Sequence, residues 1–208
     1  FVSAKVAGDT ASLTDPALDR ILEFAGEAGL VVILHCDLDV PFAKSDMEPV
    51  YMTQIRDLLR RHPETRIIWA HIGMGRVVHP VANEASAGSA ERPLNHFNLV
   101  EAALNDPTLD HVVFDISWSE VAKYIVATPE GTTAAASIVN EHPERFLFGT
   151  DEVAPKDQAS YLSVYEQYAP FWAELTPAAR RAVTKGNYER LFDEARTRVR
   201  TWEAANVK

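Results

Sequence analysis

The feature that most constrains this chain is a regular alternation. Five short apolar runs, at residues 1–6, 30–34, 66–70, 111–116 and 145–149, are separated by stretches of helical periodicity. Each run is short, apolar and partly β-branched or aromatic, as expected for a strand buried on both sides. The first is the most interrupted, by Ser3 and Lys5. Asp15-Pro16 reads as an N-cap followed by a helix-starting proline. Leu18, Ile21, Leu22 and Ala25 then form one apolar stripe, which Gly29 ends. Further helices are expected over 48–61, with Tyr51, Ile55, Leu58 and Leu59 inward, and over 93–104, 119–127, 132–141, 158–175, 177–184 and 189–205. Strand alternating with helix predicts an α/β fold with a parallel sheet. Residues 76–92, with Ser86, Gly88 and Ser89, read as a long loop.

At 208 residues the chain is shorter than the about 250 typical of a closed (β/α)₈ barrel. The expectation is therefore an incomplete TIM-like barrel of about five parallel strands with outer helices, forming one domain over 1–208. The start at Phe1 reads as that of a fragment, a processed product or a trimmed chain. A net charge of −10 argues against a nucleic-acid surface. The single cysteine, Cys36, permits no internal disulfide, and no apolar run approaches the roughly 20 residues needed to cross a bilayer. A cytoplasmic protein is expected, with neither nucleic acid nor membrane as partner.

Three runs end in side chains suited to metal or proton chemistry. Val31-Val32-Ile33-Leu34 leads to His35, Ile67-Ile68-Trp69-Ala70 to His71, and Phe146-Leu147-Phe148-Gly149-Thr150 to Asp151. A parallel sheet gathers all strand C-termini on one side, so residues distant in sequence would share one mouth. Each alone has an ordinary reading. A histidine after a strand is often a hydrogen-bonded boundary residue, and an aspartate there often caps the next turn. Together they suggest a site. Imidazole and carboxylate are common ligands of zinc and similar ions, and a bound metal can bring the pKa of its water to about 7. A nearby carboxylate could also accept that water's proton.

Leu34-His35-Cys36-Asp37, Trp69-Ala70-His71-Ile72-Gly73, Phe148-Gly149-Thr150-Asp151 and Lys185-Gly186-Asn187-Tyr188-Glu189-Arg190-Leu191-Phe192 follow one another along the chain. This succession resembles the signatures of the amidohydrolase-related family, part of a superfamily of hydrolases, lactonases and non-oxidative decarboxylases. The resemblance implies that the five runs are barrel strands four to eight and that the chain is the C-terminal portion of such a barrel. It implies His35 and Asp151 as metal ligands, with His71 as a further ligand or an acid/base and Asp151 also able to accept a proton. It implies a divalent metal, most naturally zinc, acting on a small carboxylated or cyclic substrate by hydrolysis or decarboxylation. Members normally supply a His-x-His pair from the first strand, and none occurs here. A completing N-terminal segment or a second copy would then finish the site. A metal-independent lactonase-like hydrolase and a non-catalytic fragment that associates with another chain are the alternatives.

Smaller features have mostly structural readings. Gly73-Met74-Gly75-Arg76 reads as a tight turn, with phosphate approach or an Arg76 carboxylate clamp as the functional alternatives. Lys5, Asp37 and Asp39 read as solvated charges, and Cys36 as a small buried filler. Asp115, Ser117 and Trp118 close the fourth run, where Trp118 either packs or stacks on a planar substrate. Glu152 beside Asp151 either shares a buried acidic pair or faces solvent. Phe171, Trp172, Tyr188, Leu191 and Phe192 read as core or helix-packing residues, and His79, His96, His111 and His142 receive no role.

Overall fold

The computed structural model describes residues 2–3, 13–38, 50–75 and 96–207. Lys5, Asp39, Arg76, His79, the loop at 76–92 and the expected helix starts at 48 and 93 lie outside them. The described elements alternate as expected. Strand β1 (Val2–Ser3) precedes helix α1 (Pro16–Ala28), β2 (Val31–His35), α2 (Val50–Arg61) and β3 (Arg66–Trp69). Next come α3 (His96–Leu104), β4 (Val112–Asp115), α4 (Ser119–Ile125), α5 (Pro129–Glu141) and β5 (Phe146–Leu147). The chain ends with α6 (Gln158–Gln167), α7 (Ala169–Glu174), α8 (Pro177–Arg181), a π-helical turn (Ala182–Gly186) and α9 (Asn187–Asn206). The five strands form one parallel sheet in the order β1-β2-β3-β4-β5. No helix among the described residues is long and apolar enough to cross a membrane.

Local chemistry explains the boundaries. Asp15 caps α1 by accepting from the Ala17 N–H, and Gly29 ends the helix in the left-handed region at φ 76. The expected helix over 132–141 begins earlier, at Pro129, because Thr128 caps it through the Gly131 N–H. The expected helix over 158–175 breaks at Tyr168, since Pro170 has no N–H to donate back into α6. The last two helices expected are instead joined through the π-helical turn, with Gly186 continuing into α9 in the right-handed helical region. The last strand is only two residues long. Arg145 belongs to the preceding 3₁₀ turn, where its guanidinium donates to the carbonyls of Val112 at 2.9 Å and Leu109 at 2.8 Å.

Side chains alternate across the sheet with a period of two. Val32, Leu34, Ile67, Trp69, Val112, Phe114 and Phe146 enter the main core with Leu22, Ile55, Leu58, Phe97, Val121 and Val139 of α1 to α5. Val31, Ile33, Ile68, Val113 and Leu147 form a second, smaller cluster with Leu191 and Phe192 of α9. Asn187 anchors that helix, donating to the carbonyls of Pro143 at 2.7 Å and Phe146 at 2.8 Å.

Candidate active site

The candidate site lies at the C-terminal ends of the strands, on the face that α9 covers. His35 is the last residue of β2, rather than the residue after it, and shares the face of Val31 and Ile33 by strand alternation. Asp115, the last residue of β4, likewise shares the face of Val113. His71 follows β3 inside a short turn, Ala70–Gly73, and Asp151 follows β5.

Backbone strain gathers here. His71 (φ 56), Ile72 (φ 49), Trp118 (φ 89) and Asp151 (φ 51) have positive φ without being glycine. Each such conformation costs on the order of 1–3 kcal/mol and persists only where surrounding contacts hold it. Those contacts are visible. His96 Nε2 donates to the Ile72 carbonyl, and the Leu38 N–H donates to the Gly73 carbonyl at 2.8 Å. The buried Tyr168 hydroxyl is directed at the carbonyls of Ile116 and Trp118, the latter at 3.0 Å. Gly73 itself has φ 71, and a Cβ there would lie 2.7 Å from the Trp69 ring. Glycine is therefore sterically required at position 73, in a tight turn that the Met74 N–H closes by donating to the His71 carbonyl at 2.8 Å.

His71 is the centre of the arrangement and is only 5% exposed. Its Nδ1 lies 3.1 Å from Ser117 Oγ, which in turn hydrogen-bonds Asp115 Oδ2. The Ser117 backbone N–H donates to Asp115 Oδ1 at 3.0 Å. On the opposite side of the ring, Nε2 lies 3.7 Å from Asp151 Oδ2. Burial pushes the Asp115 carboxyl above the usual carboxylate range, against the opposing pull of the Ser117 hydrogen bond and the nearby His71 ring. Asp151 is more open, with 42% of its side chain exposed. Trp118 stands 5.3 Å from the His71 ring, centroid to centroid, and packs against the main core.

These groups border a cavity of ≈ 290 Å³. Its apolar wall comes from Ile33, Ile68, Leu147 and Phe148, its polar wall from His71, Asp115, Ser117 and Asp151, and Tyr188 and Phe192 complete the lining. Tyr188 is not a core residue as expected: it is 58% exposed and stacks on Phe192 at 4.5 Å beside the cavity. Asp151 and Glu152 are both exposed, so the acidic neighbours do not form a buried pair. Cys36 is buried, as a filler would be.

His35, His71 and Asp151 do converge. The His35 and His71 rings meet edge to face with centroids 5.1 Å apart. His35 Nε2, however, is engaged by Asp37 Oδ1 at 2.8 Å. Among the described residues, no group of three His, Cys, Asp or Glu side chains could hold a metal ion. Protein zinc sites generally need at least three such ligands, so the described residues do not by themselves fit the expected ion. Asp115 and Ser117 were visible as a strand-end pair two residues apart. Their link to His71 joins β4 to the turn after β3, and no local pattern announces it.

A family model described as amidohydrolase matches residues 2–193, and the chain belongs to that family. A search of curated protein sequences gives no match. Among solved structures, an uncharacterized TIM-barrel protein from Bordetella bronchiseptica is similar at 17% identity and a TM-score of 0.55. The match covers 88% of this chain and 52% of that one. A candidate 2-pyrone-4,6-dicarboxylic acid hydrolase from Pseudomonas putida is similar at 21% identity and a TM-score of 0.51, covering 89% of this chain and 60% of its own. The chain thus spans between half and two-thirds of these barrels, and its parallel sheet with outer helices is the architecture of an incomplete one.

Proposed function

We propose that this member of the amidohydrolase family hydrolyses a C–O or C–N bond in a small carboxylated or cyclic substrate, with His71 and Asp151 handling the proton of the attacking water. The supporting observation is the 3.7 Å separation of His71 Nε2 and Asp151 Oδ2 on the wall of the cavity. That is too long for a direct hydrogen bond and suits one water donating to both atoms. Such a water would turn a lone pair toward a carbonyl carbon held in the cavity. As the new C–O bond forms, the pair accepts the water's proton; His71 then returns it to the leaving oxygen or nitrogen as that bond breaks. The cavity, close to the lower end of ligand-site volumes, suits a small ring against Ile33, Ile68 and Leu147. The relative from Pseudomonas putida, described as acting on a cyclic dicarboxylate, supports that substrate class. The described lining carries no lysine or arginine, so a carboxylate anchor would come from elsewhere, Arg76 being the sequence candidate.

A metal-assisted reaction, hydrolytic or decarboxylating, is the second reading, favoured by the nearness of the His35 and His71 rings. Zinc would supply Lewis-acid activation of water. It would draw on His35 and His71, with further donors from a completing segment or a second copy of the chain. The test is a survey of small lactones and cyclic amides with the parent protein and with His71→Gln and Asp151→Asn, alongside elemental analysis. We expect both variants to lose about 100-fold or more in kcat with unchanged melting temperature. Activity within about twofold of the parent in either variant overturns the reading, measured against that same scale for acid/base catalysis. Stoichiometric metal, or carbon dioxide as product, would move the assignment to the second reading.

A further inference from the structure

We propose that Ser117 and Asp115 are positioning residues that fix His71 as the Nδ1–H tautomer, so that its bare Nε2 is the atom presented to Asp151 and the cavity. The argument is a count of hydrogens. A serine hydroxyl carries one proton and two lone pairs. Ser117 Oγ has two partners, Asp115 Oδ2 and His71 Nδ1. The Ser117 hydroxyl donates to Asp115 Oδ2, which as an ionised carboxylate offers only acceptors, so the one hydroxyl proton goes there. Ser117 Oγ must then accept from His71, which places a hydrogen on Nδ1. Neutral imidazole carries only one N–H, leaving Nε2 as the acceptor.

Both ends of this relay are held in place. The backbone N–H groups of Ser117, 3.0 Å from Asp115 Oδ1, and of His71 donate to the Asp115 carboxylate, and Oδ2 is the oxygen turned to the hydroxyl. The hydroxyl of Tyr168, aimed at the carbonyls flanking Ser117, fixes the serine's own backbone. His71 cannot turn freely, because it sits in the left-handed turn and contacts the rings of His35 and Trp118. The inference deepens the hydrolytic reading and rests on it only for its catalytic consequence: a base at Nε2 faces Asp151, whereas one at Nδ1 would face the protein interior.

The geometry makes an unusual demand on one variant. In Asp115→Asn, the amide oxygen would stay with the Ser117 N–H, placing the amide nitrogen where Oδ2 was. That nitrogen donates, so Ser117 would turn its proton toward His71 Nδ1 and drive the ring to the Nε2–H tautomer. The experiment is long-range ¹H–¹⁵N correlation on ¹⁵N-histidine-labelled protein at about pH 8, above the usual imidazole range, with His71 assigned by its loss in His71→Gln. The parent should show a protonated Nδ1 and bare Nε2, Ser117→Thr should preserve this, and Asp115→Asn should invert it. If a hydrolysed substrate is found, Asp115→Asn should lower kcat about 100-fold with little change in KM. A parent in the Nε2–H form overturns the proposal without recourse to any variant, as does a folded Asp115→Asn whose tautomer is unchanged. A correct tautomer in a chain without hydrolytic activity leaves this inference standing and removes the hydrolytic reading.

Discussion

On one face of the sheet Leu34, Phe114 and Phe146 are completely buried in a core to which α1 to α7 contribute. On the other, residues from the same strands meet, among the described residues, α9 alone, and Ile33 remains half-buried beside a cavity of ≈ 290 Å³. The sequence alternates between two roles, one residue filling the core and the next facing the site. Close packing resists loss of volume, whereas a face that must admit a ligand cannot be filled to the same density. The C-terminal rim adds a second contrast, because the left-handed turn at His71 and Ile72 is held there by His96 and Leu38, which belong to the well-packed side.

The comparison is broken or sharpened most directly by truncating one side chain on each face. Phe114→Ala should cost about 3–5 kcal/mol in chemical denaturation, as expected when a large buried ring leaves a cavity. Ile33→Ala should cost only about 1 kcal/mol, because much of its surface already borders open space. Equal losses would mean that the α9 face is as tightly packed as the other, and the cavity would lose its standing as a substrate site.

A smaller effect is expected at the joint between the faces. Asn187 donates to two carbonyls at the entrance to β5, holding α9 against the sheet. Asn187→Ala would leave two acceptors without this donor and should cost about 1–3 kcal/mol. Hydrogen exchange should show the loss first in α9 and β5. A uniform loss across the chain would instead make α9 an integral part of the main core.

Much of this division was legible in the sequence. The five apolar runs predict the five parallel strands, and His71 and Asp151 do meet on one wall of a cavity. What escaped has physical causes. The alternation of the two faces is hidden because both are apolar, so Ile33 and Leu34 look equivalent until α9 is seen to cover only one. The positive φ of His71 leaves no trace in its residue type, since histidine is also common in ordinary turns. The role of Ser117 depends on a hydroxyl of one strand end reaching a ring of another. The pairing of His35 with Asp37, by contrast, spans only two residues, but the residue types alone do not distinguish it from a solvated charge beside a strand end. The break in the helix before α7 was available from Pro170 alone.

The smallest effect belongs to a solvent-facing turn away from the cavity. Asp106 accepts from the Thr108 hydroxyl at 2.6 Å and from its N–H at 2.9 Å, while Arg60 Nη2 lies 2.5 Å from the other carboxylate oxygen. The Thr108 hydroxyl and then Arg60 hold the Asp106 carboxyl down, from 3.8 to about 2. An acid with a depressed folded pKa stabilises the fold above its unfolded value and loses that contribution as the pH falls through the folded one. Asp106→Asn keeps the capping geometry and removes the charge. Its stability deficit should therefore be present at neutral pH, shrink between pH 3.8 and about 2, and shrink further in high salt, which screens surface pairs. A deficit that persists at the acid end would assign the effect to the shape of the turn and not to charge. Neither result should alter the cavity, because Asp106 shares no contact with His71, Ser117 or Asp151 among those described.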